Sequence, residues 1–220
     1  MAEVAITVGP VTTPEEYATR IKRIEVFVRR FHVDISDGVF TPTKTIDLAQ
    51  VYDVPDVPTD LHLMVTSPAQ FLETVISLGP ELVICHAEAA ANWSELLSQW
   101  REVGIKVGLA LREDTPVGKI SQLLDQLDHV LVFTGDHLGF NHSHFKPDTL
   151  TKIKQLKQLR SELEIGVDGG MNPEHTQAAV AAGADVINTG GYVVDATEPK
   201  QAYAAIVTAA AEASSDDQAA

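Results

Sequence analysis

A closed (β/α)8 barrel of the TIM-barrel class is the α/β fold this sequence predicts, on three observations. Eight short β-branched runs recur along the 220 residues, helical patterns separate them, and no glycine-rich nucleotide turn follows the first run. Alternation of strand with helix demands parallel strands, and eight of them can close on themselves. An open doubly wound sheet normally stops at roughly five to seven strands and carries that glycine-rich turn.

The strand runs are "VAITV", "FHVDIS", "DLHLMV", "ELVICHA", "KVGLALR", "HVLVFTG", "EIGVDGG" and "DVINTGG". Between the first two, Thr13-Pro14-Glu15-Glu16 reads as a helix cap with proline at the first helical position and glutamate three residues after the cap. That helix is predicted from Pro14 towards Arg29, with Tyr17, Ile21 and Ile24 on its buried side. Further helices are predicted in "SPAQFLETVISLG", "NWSELLSQWREVG", "TPVGKISQLLDQLD", "KPDTLTKIKQLKQLR", "NPEHTQAAVAAG" and "EPKQAYAAIVTAAAEA". The segment "TKTIDLAQVYDVPDV" supports only a short helix. The expected organisation is one domain over residues 1–212, followed by a flexible acidic tail over 213–220.

Thirty-one acidic against sixteen basic residues give a formal charge of -15, which repels phosphate backbones and anionic membranes. Nucleic acid and membrane are therefore excluded as expected partners. The N-terminus lacks the basic start and apolar core of a signal peptide, and no stretch reaches the roughly 18 apolar residues of a membrane span. Cys85 is the one cysteine, which rules out an intrachain disulfide and suits a reducing compartment. The expected location is the cytoplasm.

Side chains in a strand alternate with a period of two, so each strand sends one set to the barrel axis and the other to the helices. In "HVDIS" the axial set is His32, Asp34 and Ser36; in "DLHLMV" it includes His62 and Met64; in "EIGVDGG" it is Gly166 and Asp168. Each polar residue sits late in its strand, at the end where such barrels do chemistry. Two imidazoles and two carboxylates suit one borderline divalent ion, namely zinc, iron(II), manganese or cobalt. Four such groups without a shared ion or network would be costly to bury.

These residues sit in blocks that resemble the ribulose-phosphate 3-epimerase family. "HVDISDGVFTPTKT" is similar to its His-x-Asp-x-Met-Asp-Gly-x-Phe-x-Pro-x-x-Thr block, "DLHLMVTSP" to its His-Leu-Met-Val-x-x-Pro block, and "VDGGMNPEHT" to its Val-Asp-Gly-Gly block. "HAEA", "GLALREDTPV" and "AGADVINTGG" fit in order, so the resemblance runs over essentially the whole chain. It implies a metal-dependent isomerase that interconverts D-ribulose 5-phosphate and D-xylulose 5-phosphate, a small-molecule ketose phosphate pair. Carried over, His32, Asp34, His62 and Asp168 hold the ion, and Asp34 and Asp168 are the catalytic acid/base pair. Gly169, Gly170, Gly190 and Gly191 follow strands seven and eight, where this fold often binds phosphate through backbone N–H groups. His86 and Glu88 are expected to orient the ligands.

Departures from the family pattern surround the substrate. Ser36 and Thr134 stand where the family has methionines, leaving Met64, and Thr7 stands for a serine. The family's Asn-Pro-Gly-Phe-Gly-Gly-Gln loop is here "HLGFNHS": Gly139 and Phe140 persist, while Asn141, His142 and Ser143 replace the last three. All except Ser143 are expected to touch substrate. The altered lining leaves two alternatives open, another ketose phosphate such as a hexulose 6-phosphate, or a non-catalytic sugar-phosphate-binding barrel. His137, His142 and His144 are expected to be solvent-exposed rather than a second metal set, and His129 and His175 have no nameable partner. The apolar "QAYAAIVTAAAEA" leaves a homo-oligomer open.

Overall fold

The eight strands close in sequence order, each parallel to the next and the last paired with the first, in a computed structural model that describes residues 1–51 and 57–216. They are β1 (Glu3–Val8), β2 (Phe31–Ser36), β3 (Thr59–Met64), β4 (Leu82–His86), β5 (Lys106–Leu111), β6 (His129–Phe133), β7 (Glu164–Asp168) and β8 (Val186–Thr189). All eight predicted runs are strands. Register sets the site: Asp34 lies beside His62, Phe133 beside Asp168, and Asp168 beside Asn188.

The helices are α1 (Pro14–Ile24), α2 (Leu72–Leu78), α3 (Trp93–Glu102), α4 (Leu150–Leu159), α5 (Pro173–Ala181), α6 (Gly191–Val194) and α7 (Pro199–Asp216). α1 begins as its cap dictates: the Thr13 hydroxyl accepts from the Glu16 amide at 3.2 Å, and the Glu16 carboxylate accepts from the Thr12 amide at 3.1 Å. It ends before the predicted Arg29. A turn after Ile24 returns Val28 to the core and delivers Arg30 to the barrel floor, and β-branched Val26 and Val28 favour helix weakly.

The helix predicted in "TPVGKISQLLDQLD" is absent, replaced by 3₁₀ turns at Val117–Ile120 and Leu124–Gln126. Carbonyls within this segment and just before it are bonded from outside. Arg160 donates to Leu124 O at 2.6 Å and Leu127 O at 2.7 Å, and Lys152 Nζ donates to Arg112 O at 2.6 Å and Glu113 O at 2.8 Å. Among its described residues the segment between β2 and β3 carries a 3₁₀ turn, Leu48–Gln50, and the part of that expectation over residues 52–56 lies outside the described residues. At the C-terminus α7 continues to Asp216 past the expected boundary at 212, because Ala209, Ala210 and Ala213 keep an alanine face buried. Residues 217–220 lie outside the described part.

Two apolar regions result. The larger lies between sheet and helices and takes the outward set, including Val33, Ile35, Leu61, Leu63, Val65 and Val167. The smaller, inside the barrel, is Leu82, Ile84, Ala110 and Leu131, from β4, β5 and β6. The β2, β3 and β7 side of the interior is polar, and there the site forms. Among the described residues no helix is long and apolar enough to cross a membrane.

Candidate active site

His32, Asp34, His62 and Asp168 each offer a ligand atom, and these atoms lie within 4.8 Å of one another. His62 Nδ1 is 2.8 Å and His32 Nε2 is 3.4 Å from the same oxygen, Asp34 Oδ1. Both imidazoles are wholly buried, and the carboxylates are buried but reach the cavity above. Asp34 can sit this close to the axis because residue 9 has no side chain. A Cβ at Gly9 would lie 2.6 Å from that of Asp34.

Counting protons tests whether these residues suit a cation. His62 Nε2 faces His86 Nε2 at 3.0 Å, and His86 Nδ1 faces Glu88 Oε2 at 3.3 Å. The chain Asp34–His62–His86–Glu88 thus has three gaps, each needing one positive hydrogen or ion between two lone pairs. Two neutral imidazoles bring two hydrogens. If His86 Nδ1–H donates to Glu88 and His62 Nε2–H donates to His86, the Nδ1 lone pair of His62 faces the Asp34 carboxylate 2.8 Å away. His62 and Asp34 would thus be free to hold a divalent ion, and Glu88 and His86 would fix the tautomer of His62, as partners of metal-bound imidazoles generally do. Phe40 packs on the His86 ring at 5.1 Å, and the Arg112 guanidinium lies 4.3 Å over Phe40, which closes this side to water.

The electrostatics agree. Burial pushes His86 down to about 4, keeping it neutral, with help from the charge of Arg112. Burial opposes ionisation of Asp34, but the imidazoles of His32 and His62 beside it outweigh burial and hold its carboxyl well below the usual range. Burial pushes Asp168 the other way, to about 6, and the negative charge of Asp34 adds to the rise. His32 loses basicity through burial and regains more from Asp34 and Asp168. Two close carboxylates, only one of them comfortable as an anion, are what a bound cation relieves.

Above the cluster lies a cavity of about 520 Å³, a size that suits a small phosphorylated sugar. Of the expected substrate residues, Thr7, Met64, Gly139, Phe140, Asn141, His142, Gly169, Gly170, Gly190 and Gly191 line it together with Asp34 and Asp168. Ser36 and Thr134 do not. The Ser36 hydroxyl is 2.6 Å from that of Thr41 and donates to Thr43 O at 2.7 Å, organising the loop after β2. Thr134 donates to Asp168 O at 3.0 Å and Gly169 O at 2.7 Å, pinning the chain where β7 ends.

Phe133, Asn188 and Tyr192 line the cavity without having been singled out from the sequence, as does His175, for which the sequence offered no partner. Parity along β6 and β8 points to the first two, since Phe133 pairs with Asp168 and Asp168 with Asn188. His175 carries no such signal. It stacks on Phe145 at 4.2 Å, and its Nδ1 donates to Gly170 O at 2.6 Å. His137 and His144 are exposed and flank Asp136, at 2.8 and 3.0 Å. His142 is exposed as expected, but it also borders the cavity. It has a left-handed backbone, φ 61°, its ring lies against Gly191, and its Nε2 meets Asp195 Oδ2 at 3.1 Å.

Comparison with known proteins points the same way. The model of the "Ribulose-phosphate 3 epimerase family" matches residues 10–194. The ribulose-phosphate 3-epimerase of Bacillus subtilis is 34% identical over 183 residues, covering 80% of this chain and 84% of that protein. The cytoplasmic isoform of the enzyme from Oryza sativa subsp. japonica is 30% identical over 216 residues, covering 93% and 94%. The crystal structure of 3-keto-L-gulonate-6-phosphate decarboxylase from Vibrio cholerae superposes with a TM-score of 0.76 at 14% identity, covering 96% of this chain and 98% of that one, a likeness of fold. With its barrel, its four converging His and Asp side chains and these relatives, the chain belongs to the ribulose-phosphate 3-epimerase family of isomerases.

Proposed function

We propose that the protein interconverts D-ribulose 5-phosphate and D-xylulose 5-phosphate by proton transfer at C3. The observation that carries this reading is the meeting of Asp34 and Asp168, from non-adjacent strands, with His32 and His62 at the floor of one cavity. Inverting a carbon beside a carbonyl needs a base on one face and an acid on the other. One carboxylate takes the C3 proton, leaving an enediolate, and the other delivers a proton to the opposite face. Each turnover exchanges the protonation states of the pair, so solvent hydrogen enters the product.

His32 and His62 would hold the ion with the two carboxylates. When bound, a divalent ion such as zinc, iron(II), manganese or cobalt supplies positive charge to the developing oxyanions. Because Asp34 and Asp168 would also be ligands, their oxygens are fixed before substrate arrives. Phe133 and Met64 give the reacting carbons an apolar wall. Thr43 Oγ1 donates to Gly139 O at 2.8 Å, joining the loops after β2 and β6 and limiting entry of water.

The phosphate would lie at the far end, against the backbone of Gly169, Gly170, Gly190 and Gly191, with Asn141 and His142 beside it. The left-handed backbone of His142, unfavourable for a residue with a side chain, is the kind of outlier that accompanies a ligand site. The alternatives of a hexulose 6-phosphate or a non-catalytic barrel rest on this loop alone, since Ser36 and Thr134 are turned into hydrogen bonds behind the wall.

The deciding experiment is incubation of the metal-loaded enzyme with D-ribulose 5-phosphate in deuterated water. The expected product is D-xylulose 5-phosphate labelled at C3, and Asp34→Asn or Asp168→Asn should lower turnover at least about a thousandfold. Metal-loaded wild type that incorporates no label, while active on another ketose phosphate or on none, would overturn the reading.

A further inference from the structure

Beneath the site, the floor of the barrel holds a second set of buried polar groups that the proposed chemistry does not use. Arg30 precedes β2 and turns inward. Its Nε donates to Asp60 Oδ2 at 2.8 Å, and its other nitrogens reach Glu3 at 2.8 Å and Glu164 at 3.1 Å. His129 Nδ1 donates to Glu164 Oε1 at 2.7 Å. Asp60 and His129 are each only 1% exposed.

Among the described residues, Asp60 Oδ1, His129 Nε2 and both ring nitrogens of His32 have no hydrogen-bonding partner, and of the last two it is Nδ1 that turns away from Asp34. They belong together. Asp60 is the register partner of His32 across β2 and β3, and Arg30 joins Asp60 to the Glu164 carboxylate that His129 bonds. Room for the His129 ring comes from β7, where a Cβ at residue 166 would lie 2.6 Å from His129 Nε2.

Their hydrogen-bonding capacities are complementary. His32 turns Nε2 towards Asp34, which makes Nδ1 the protonated nitrogen of a ligating imidazole, a donor. Asp60 Oδ1 is an acceptor. With its Nδ1–H given to a carboxylate, His129 presents a lone pair at Nε2. One donor and two acceptors match the two lone pairs and two hydrogens of a water molecule, and about three partners are usual for a buried one.

We infer that Asp60, clamped by Arg30, and His129 are positioning residues that hold the metal-binding His32 from below through a shared buried water. The water accepts from His32 Nδ1–H and donates to Asp60 Oδ1 and His129 Nε2. This fixes the tautomer and ring plane of His32 as His86 and Glu88 fix those of His62, so each imidazole is braced from its own side. The inference rests on the metal-centre reading for its consequence, and on the orphaned atoms for its geometry.

The first test is a crystal structure of the wild-type protein at a resolution that orders buried water. A water within hydrogen-bond distance of all three atoms is expected, with or without metal; a dry site overturns the inference. The second is Co²⁺ affinity, by competition with a chromophoric chelator, with the visible spectrum of the bound ion recorded alongside. Asp60→Asn should weaken binding about ten- to a hundredfold and alter the spectrum, His129→Leu should do so about threefold or more, and Glu3→Gln, which touches Arg30 alone, should stay within about twofold. Unchanged affinity and spectrum in a folded Asp60→Asn protein overturn the inference. Should Asp60→Asn fail to fold, His129→Leu decides by the same measure. Wild type that takes up no Co²⁺ defeats the metal-centre reading, while the water still decides the present one.

Discussion

At the scale of single residues, His142 is where this chain has most to reveal. Its ring fills space that a second residue without a side chain would leave to the ligand, and Asp195 steadies it there. If the ring contacts the phosphate of a bound ketose phosphate, His142→Ala should raise KM about tenfold while leaving kcat within about twofold, since charge-assisted hydrogen bonds contribute about 1.5–3 kcal/mol to binding. Steady-state kinetics on D-ribulose 5-phosphate measure the split. An unchanged KM would assign the ring to holding the loop. Thr134 makes the contrast. It lies one residue past Phe133, so parity alone turns it from the axis, and its hydroxyl serves the carbonyls that end β7.

At the scale of elements, β4 contributes His86 at its last position and Glu88 just beyond, and the pair couples stability to pH. Burial alone would raise the Glu88 carboxyl, but hydrogen bonds from the His86 and Thr115 side chains and the Arg112 amide outweigh it and lower it from 4.5 to about 2. A carboxyl lowered on folding stabilises the native state fully above its unfolded value and loses that contribution as pH falls towards its folded value. The Tm difference between wild type and Glu88→Gln should therefore be largest near neutrality and close between pH 4.5 and about 2. A gap that stays constant across that range would refute the coupling; thermal unfolding at stepped pH measures it. Strands and their inward faces were legible in the sequence because a period of two survives any packing, which is why His32, Asp34, His62 and Asp168 could be placed together. Two things were not legible. "TPVGKISQLLDQLD" has the apolar spacing of a helix, but Arg160 and Lys152, distant in sequence, take carbonyls within it and just before it. The family pattern pointed to Thr134 where parity points to Phe133, and parity itself gave Ser36 a cavity role that its hydrogen bonds to the loop after β2 deny it.

For the whole molecule, a cation at the centre of the ring would bind the native state and find no such cluster in the unfolded chain, whose three contributing strands are far apart in sequence. Free ion at a hundredfold its Kd should stabilise the protein by about 2.7 kcal/mol, and a strong chelator should remove that increment, read as a fall in Tm. A Tm indifferent to both would argue against a tightly held ion. The barrel also distributes its labour unequally. Most intervals between successive strands contain an α-helix, whereas that between β5 and β6 has only 3₁₀ turns, secured by cationic side chains on α4 and just after it. Rigidity on that flank is therefore borrowed from a neighbour. Loss of the Arg160 contacts will be felt first as loosening around residues 124–127, in an arc from 117 to 127 that contributes no residue to the cavity, so this arc can drift through evolution or be rebuilt by design without retuning the chemistry at the centre.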